Sequence, residues 1–157
     1  MDQSLTLRPV TPDDLPFLQR VYAGTRTDEL ALTDWDEARQ TAFIEMQFSA
    51  QHEYYTKNYP GAQFQIVMLN GEPIGRLYVD RWADQIRIID ITLLPEQRGR
   101  GVGSQLLKQI LDEGRRLNLP VTIHVERFNP ALRLYERLGF RLLEDKGVYW
   151  LLKWTPV

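Results

Sequence analysis

The segment that most restricts the fold is residues 86–126. It reads as an apolar run, "IRIIDITLL", a short turn, the stretch "RGRGVG", a helical pattern, "SQLLKQILDEGRRL", and a second apolar run, "VTIHVE". Leu106, Leu107, Ile110, Leu111 and Leu117 recur at steps that place them on one helical face. A helix between two strands makes those strands parallel neighbours joined by a right-handed crossover. The turn into the helix is unusual. Gly99, Gly101 and Gly103 alternate with Arg98, Arg100 and Val102. A plain connection needs one or two turn residues, glycine weakens a helix, and arginine is costly to bury. The pattern predicts a backbone that something outside the chain approaches closely.

The flanking segments extend this unit into a mixed sheet. "LTLRPV" reads as a strand, and "TPDD" opens a helix with Thr11 as N-cap, Pro12 at the first position and acids in the first turn. A second helix is expected from Thr33 to about Tyr59, with Asp36 at the capping-box position and Trp35, Ala38, Ala42 and Met46 as its stripe. "FQIVML" and "IGRLYVDR" flank Asn70-Gly71, a strong hairpin signal. "NPALRLYERLGF" reads as a helix with Asn129 as N-cap and Gly139 as terminator, and "RLLE" and "VYWLLKW" as a closing hairpin around Asp145-Lys146-Gly147. The predicted order is β-α-α-β-β-β-α-β-α-β-β, an α/β (α+β) fold with a mixed sheet and helices on its faces. No internal repeat or linker interrupts residues 1–157, so a single domain is expected.

Composition narrows the chemistry. The chain has 157 residues, a formal net charge of −2 and no cysteine. A thiol nucleophile and a disulfide framework are excluded, and no nucleic-acid partner is expected from the overall charge. His52 and His124 are the only histidines, so no metal site is expected. "MDQSLTLRPV" lacks a basic-then-apolar leader, and no apolar run approaches a membrane span. A cytoplasmic location without membrane contact is the expectation.

A glycine loop between a strand and a helix N-terminus is suited to phosphate, because the first helical N–H groups point outward and no Cβ blocks the approach. Three phosphate-binding patterns compete. A Walker loop requires Lys before Ser or Thr, and here Gly103 precedes Ser104. A dinucleotide fingerprint starting at Gly99 requires glycine at position 104, where Ser stands. The third pattern, [Q/R]-x-x-G-x-[G/A], is met by Arg98-Gly99-Arg100-Gly101-Val102-Gly103. With "DITLLPEQ" before it and "NPALRLYERLGF" after it, the sequence resembles the GNAT superfamily of N-acetyltransferases over nearly its whole length.

The resemblance implies acetyl-CoA as cosubstrate and an amine, small molecule or peptide, as acceptor. It implies that the pyrophosphate lies on the N–H groups of Arg98, Gly99, Arg100, Gly101, Val102, Gly103 and Ser104. It further implies that the pantetheine arm pairs with the end of "DITLL" at Ile91 and Leu93, where the fourth and fifth strands splay. The Leu93 N–H then faces the thioester carbonyl, Asn129 contacts the pantetheine, and Tyr135 stands near the sulfur as the acid that protonates the leaving thiolate. Direct transfer in a ternary complex is the simplest route. Many members of the superfamily carry a Glu in the fourth strand, at a position occupied here by Arg87. The base is therefore open among Asp90, Glu126, His124 and a water chain.

Each residue also has a quieter reading. Asn129 is explained as a cap, Tyr135 as packing on an apolar helix, His124 as a core histidine, and Asp90 as the partner of an arginine. The acceptor region implied by the resemblance, residues 22–60, carries seven aromatics that read mostly as core, and Asp28, Glu29, Asp34 and Asp36, which suit a cationic amine. A non-catalytic acyl-CoA-binding module of the same fold is the alternative. The apolar terminal segment "GVYWLLKW" reads as a sheet edge in need of cover, which points to a homodimer.

Overall fold

The computed structural model describes residues 4–157. Seven strands form one mixed sheet: β1 (Leu5–Pro9), β2 (Gln63–Leu69), β3 (Glu72–Arg81), β4 (Ile86–Leu93), β5 (Val121–Glu126), β6 (Arg141–Asp145) and β7 (Tyr149–Trp154). Their order across the sheet is β1-β2-β3-β4-β5-β7-β6. The helices are α1 (Leu15–Ala23), α2 (Thr27–Ala31), α3 (Glu37–Asn58), α4 (Val102–Leu117) and α5 (Leu132–Arg137). Two compact units divide the chain. One runs up to Leu77 and includes Ile91–Arg98; the other comprises Tyr78–Asp90 and Gly99–Val157.

In the first unit, β1 pairs antiparallel with β2, Leu5 opposite Leu69 and Pro9 opposite Gln65. Asn70 (φ 52°) and Gly71 (φ 82°) turn β2 into β3. Two successive positive φ values are what a tight two-residue hairpin turn demands. Thr11 precedes a 3-10 turn, Pro12–Asp14, and α1 proper begins only at Leu15. The Asp14 carboxylate accepts from the Thr11 N–H at 2.8 Å and from both terminal nitrogens of Arg8 at 2.8 and 2.9 Å. The Arg8 guanidinium is the main reason that Asp14 is held down to about 2.

The second helix differs from its expectation. Asp36 is itself the N-cap of α3, accepting from the Arg39 N–H at 2.8 Å, so it is not at the capping-box position. The segment before it forms α2, a helix of five residues too short to show a period. The buried side of α3 is Ile44 and Phe48, whereas Met46 is 63% exposed and Ala42 faces solvent. Tyr22 from α1 packs on Phe48, ring centroids 6.3 Å apart, and donates its hydroxyl to Gln47 at 3.0 Å.

In the second unit β4 and β5 are parallel, as expected, with Ile86 beside Val121 and Ile88 beside Ile123. Among the described residues their pairing stops there, although both strands continue. α4 buries Val102, Leu106, Leu107, Ile110, Leu111 and Gly114. Each such aliphatic side chain contributes roughly 1.5–3 kcal/mol when removed from water. Leu117, expected on that face, is 54% exposed at the last turn. A Cβ at Gly114 would lie 2.9 Å from the Trp154 indole, so this glycine lets α4 approach β7. The terminal strand is not an edge. β7 lies between β5 and β6, and β6 forms the rim.

Candidate active site

The glycine loop takes its shape from two residues. Gly99 (φ 75°) and Gly101 (φ 82°) occupy the left-handed region, and Gly101 caps α4 at its start. A non-glycine residue there costs roughly 1–2 kcal/mol. Gly103 is different, because its backbone is ordinary helix. Nothing lies within 4 Å of the place where its Cβ would stand. A helical glycine is about 0.8–1 kcal/mol worse than alanine, and neither backbone nor crowding accounts for this one. The first turn of α4 thus carries a bare face, with the N–H groups that no helix can satisfy internally and the positive end of the helix dipole.

In the first unit, the end of β4 is held on several sides. A Cβ at Gly75 on β3 would collide with the Thr92 carbonyl and lie 3.0 Å from the Leu93 Cα, so the two strands come unusually close there. The Leu94 N–H donates to the Ile74 carbonyl at 2.8 Å. Arg98 donates from its side chain to the carbonyls of Leu93 and Gly24, each at 3.3 Å, and from its backbone to Pro95 at 3.2 Å. Its side chain is exposed and lies along the surface between these carbonyls. Ile91 is half-buried and Leu93 buried.

The second unit holds the other candidates. Tyr135 on α5 is 4% exposed, and its ring meets Phe140 edge-on at 5.6 Å. Burial first, and then the negative charge of Asp90, pushes its phenol well above the ordinary value. Asp90 is half-buried on β4. The Asn129 Oδ1 accepts from the Ala131 N–H at 2.8 Å within the turn before α5, whose N-cap is Ala131 rather than the expected Asn129. The regular helix begins two residues later than its sequence pattern indicates, at Leu132.

Arg87 and His124, two unconnected suggestions from the sequence, come together. Arg87 donates to the Thr122 hydroxyl at 2.8 Å and approaches the His124 Nδ1 at 3.4 Å. The Lys146 Nζ approaches the His124 Nε2 at 3.3 Å. Burial, then Arg87, then Lys146 lower the His124 pKa below the usual 6.5, with Glu144 acting weakly the other way. Lys146 was not anticipated here; only the register of β5 with β7 brings the hairpin tip beside His124. An open cleft of about 530 Å³ lies in the first unit among α1, α2 and α3, lined in part by Arg20, Thr27, Leu30, Glu37 and Gln40. Among the described residues no group of His, Cys, Asp and Glu could hold a metal ion, and no helix is long and apolar enough to cross a membrane.

The model of the Acetyltransferase (GNAT) family matches residues 26–140, more than half of the chain. The chain belongs to the GNAT family of acetyltransferases. Solved structures share the fold of this GNAT chain. The PaiA N-acetyltransferase of Thermoplasma acidophilum, in complex with coenzyme A, aligns with a TM-score of 0.71 at 16% identity, covering 97% of this chain and 99% of its own. An acetyltransferase of Thermus thermophilus gives 0.65 at 22% identity, covering 96% and 95%. A GNAT family acetyltransferase of Elizabethkingia anophelis with acetyl-CoA bound gives 0.59 at 18% identity, covering 96% and 97%. No curated protein matches the sequence. The seven-stranded mixed sheet is the architecture expected for a GNAT acetyltransferase from residues 86–126 and their flanks, with α2 as the added α-helix.

Proposed function

We propose that this chain moves the acetyl group from acetyl-CoA to a primary amine by direct attack within a ternary complex, with residues 1–157 acting as one GNAT domain in the cytoplasm. The observation that carries the reading is Gly103, a helical glycine whose side-chain position is empty although nothing inside the protein needs the space. A pyrophosphate against the N–H groups of residues 99–104 gives that space a use. The coenzyme A and acetyl-CoA in the relatives named above support the same donor.

In this reading the pantetheine arm runs beside Ile91 and Leu93. The Leu93 N–H polarises the thioester carbonyl as a one-donor oxyanion site. The amine nitrogen attacks the carbonyl carbon, the C–S bond breaks, and the Tyr135 hydroxyl gives its proton to the sulfur. Burial keeps Tyr135 protonated until that thiolate charge develops beside it. The nitrogen loses its proton to a base, for which Asp90 is the candidate, directly or through water. Asn129 contacts the pantetheine with the capacity that its bond to Ala131 leaves free.

The test combines calorimetric titration of CoA with a panel of primary amines, reading CoA released from acetyl-CoA. The reading expects CoA binding and release with at least one amine. CoA binding without release by any amine would replace it with the acyl-CoA-binding module. Absence of binding would remove both.

A further inference from the structure

Arg87 is half-buried on β4, yet its partners are neutral: the Thr122 hydroxyl at 2.8 Å, the His124 ring nitrogen at 3.4 Å and the face of Trp82 at 5.0 Å. Among the described residues no carboxylate pairs with it. A guanidinium withdrawn from water normally finds an acid. His124 compounds the imbalance. Each of its ring nitrogens faces a cation, Arg87 on one side and Lys146 on the other. A neutral imidazole has one acceptor nitrogen and one N–H. One of the two contacts is therefore an N–H pointed at a positive charge. The acid beside them, Glu144, is 4.0 Å from Lys146 with a side chain 60% exposed, so water screens it.

The position of this cluster is informative. Arg87 and Thr122 form the second of the three β4–β5 pairs, and His124 is the first residue of β5 after the pairing ends. The surplus positive charge thus stands where the two strands part. We propose that Arg87, His124 and Lys146 bind a carboxylate carried by the acceptor, so that the acceptor is a small amine that also bears a carboxylate, as an amino acid does. This rests on the acetyl-transfer reading and narrows its substrate class. A carboxylate accepts at once from the Arg87 guanidinium, the His124 N–H and the Lys146 ammonium, which removes the opposed contact and neutralises the half-buried charge. Charge-assisted bonds of this kind are among the stronger ones in proteins.

The first measurement needs no variant. The chain has two histidines, and His52, stacked on Phe48 in α3, serves as the internal control. NMR titration of both imidazoles is run with and without saturating acetate as the probe. The groups facing His124 are Arg87 from β4 and Lys146 and Glu144 from the β6–β7 hairpin. A bound carboxylate offsets the two cations, so acetate raises the His124 midpoint by about one pH unit and leaves His52 unmoved. Arg87→Gln abolishes that response. In turnover, Arg87→Gln lowers kcat/KM for an α-amino acid roughly ten- to a hundred-fold more than for its decarboxylated amine.

Three results overturn the inference: no acetate response at His124, a response to inorganic phosphate but not to acetate, or an equal loss for both members of the amine pair. CoA titration of the same samples separates the two levels. Intact CoA binding with no acetate response removes the carboxylate site alone, whereas lost CoA binding removes the acetyl-transfer reading beneath it.

Discussion

Tyr135 is a packing residue and, in the proposed reaction, also the acid, two duties that its sequence position leaves undistinguished. It packs, at 4% exposure against Phe140, and the same burial holds its hydroxyl in the protonated form. Packing and acid catalysis are separable by one oxygen atom. Tyr135→Phe keeps the ring and its edge-on contact, so CoA affinity stays within a few-fold of the parent. Turnover falls about 10²- to 10⁴-fold, the usual worth of a positioned acid, with kcat and kcat/KM falling together because the proton is needed only in the transition state. Parent-like turnover in the Phe variant, measured with a good acceptor from the amine panel, would assign protonation of the sulfur to water instead. Arg87 teaches the opposite lesson about single residues. Its place in the fourth strand is legible in the sequence, but its meeting with His124 and Lys146 is not. That meeting depends on which residue of β5 stands beside which residue of β4, and between parallel strands joined by a long crossover no tight turn fixes the register.

At the scale of elements, strongly patterned segments were legible and weakly patterned ones were not. α4 announces itself by Leu106, Leu107, Ile110 and Leu111, and the hairpin by Asn70-Gly71. α2 has five residues and no full period, and α3 is polar around most of its circumference, which is why its stripe was placed on Met46 rather than on Ile44 and Phe48. The glycine loop shows both sides. Spacing exposes the three glycines, whereas only the backbone reveals that Gly99 and Gly101 answer to φ and Gly103 to empty space. That division selects the decisive variant. A side chain at Gly101 strains the backbone whatever binds there, so its loss of function is ambiguous. Gly103→Ala strains nothing, improves the helix by up to about 1 kcal/mol and, because the loop pattern admits alanine at this place, keeps CoA affinity within a few-fold. Gly103→Leu also suits the helix but fills the approach with a side chain, so it should leave the melting temperature no lower than the parent's while weakening CoA at least tenfold, about 1.4 kcal/mol. A Leu variant that binds CoA as tightly as the parent would show that no phosphate lies against this turn.

For the whole molecule, the position of the rim decides how copies can meet. The expectation of a homodimer rests on "GVYWLLKW" as an edge, but β7 is enclosed; the rims are β1 and β6, and all five residues of β6 are exposed. Leu142 and Leu143 are 51% and 56% exposed there. The strand is guarded against indiscriminate pairing by its length, by the bulge between Leu142 and Glu144, and by its charges. Those charges are self-complementary in one arrangement. If two copies of Arg141–Asp145 pair antiparallel about a two-fold axis at Leu143, each Arg141 stands opposite the partner's Asp145, and the leucines are covered together. A homodimer formed this way weakens as salt rises, because its selectivity is electrostatic. Arg141→Asp sets an acid opposite Asp145 at both ends of the pairing and disperses the dimer; adding Asp145→Arg restores the complement with the signs exchanged and recovers it. Light scattering across protein concentration and salt reads the result. A mass of one 18.4 kDa chain at every concentration, or a dimer indifferent to Arg141→Asp, would remove β6 as the contact between copies.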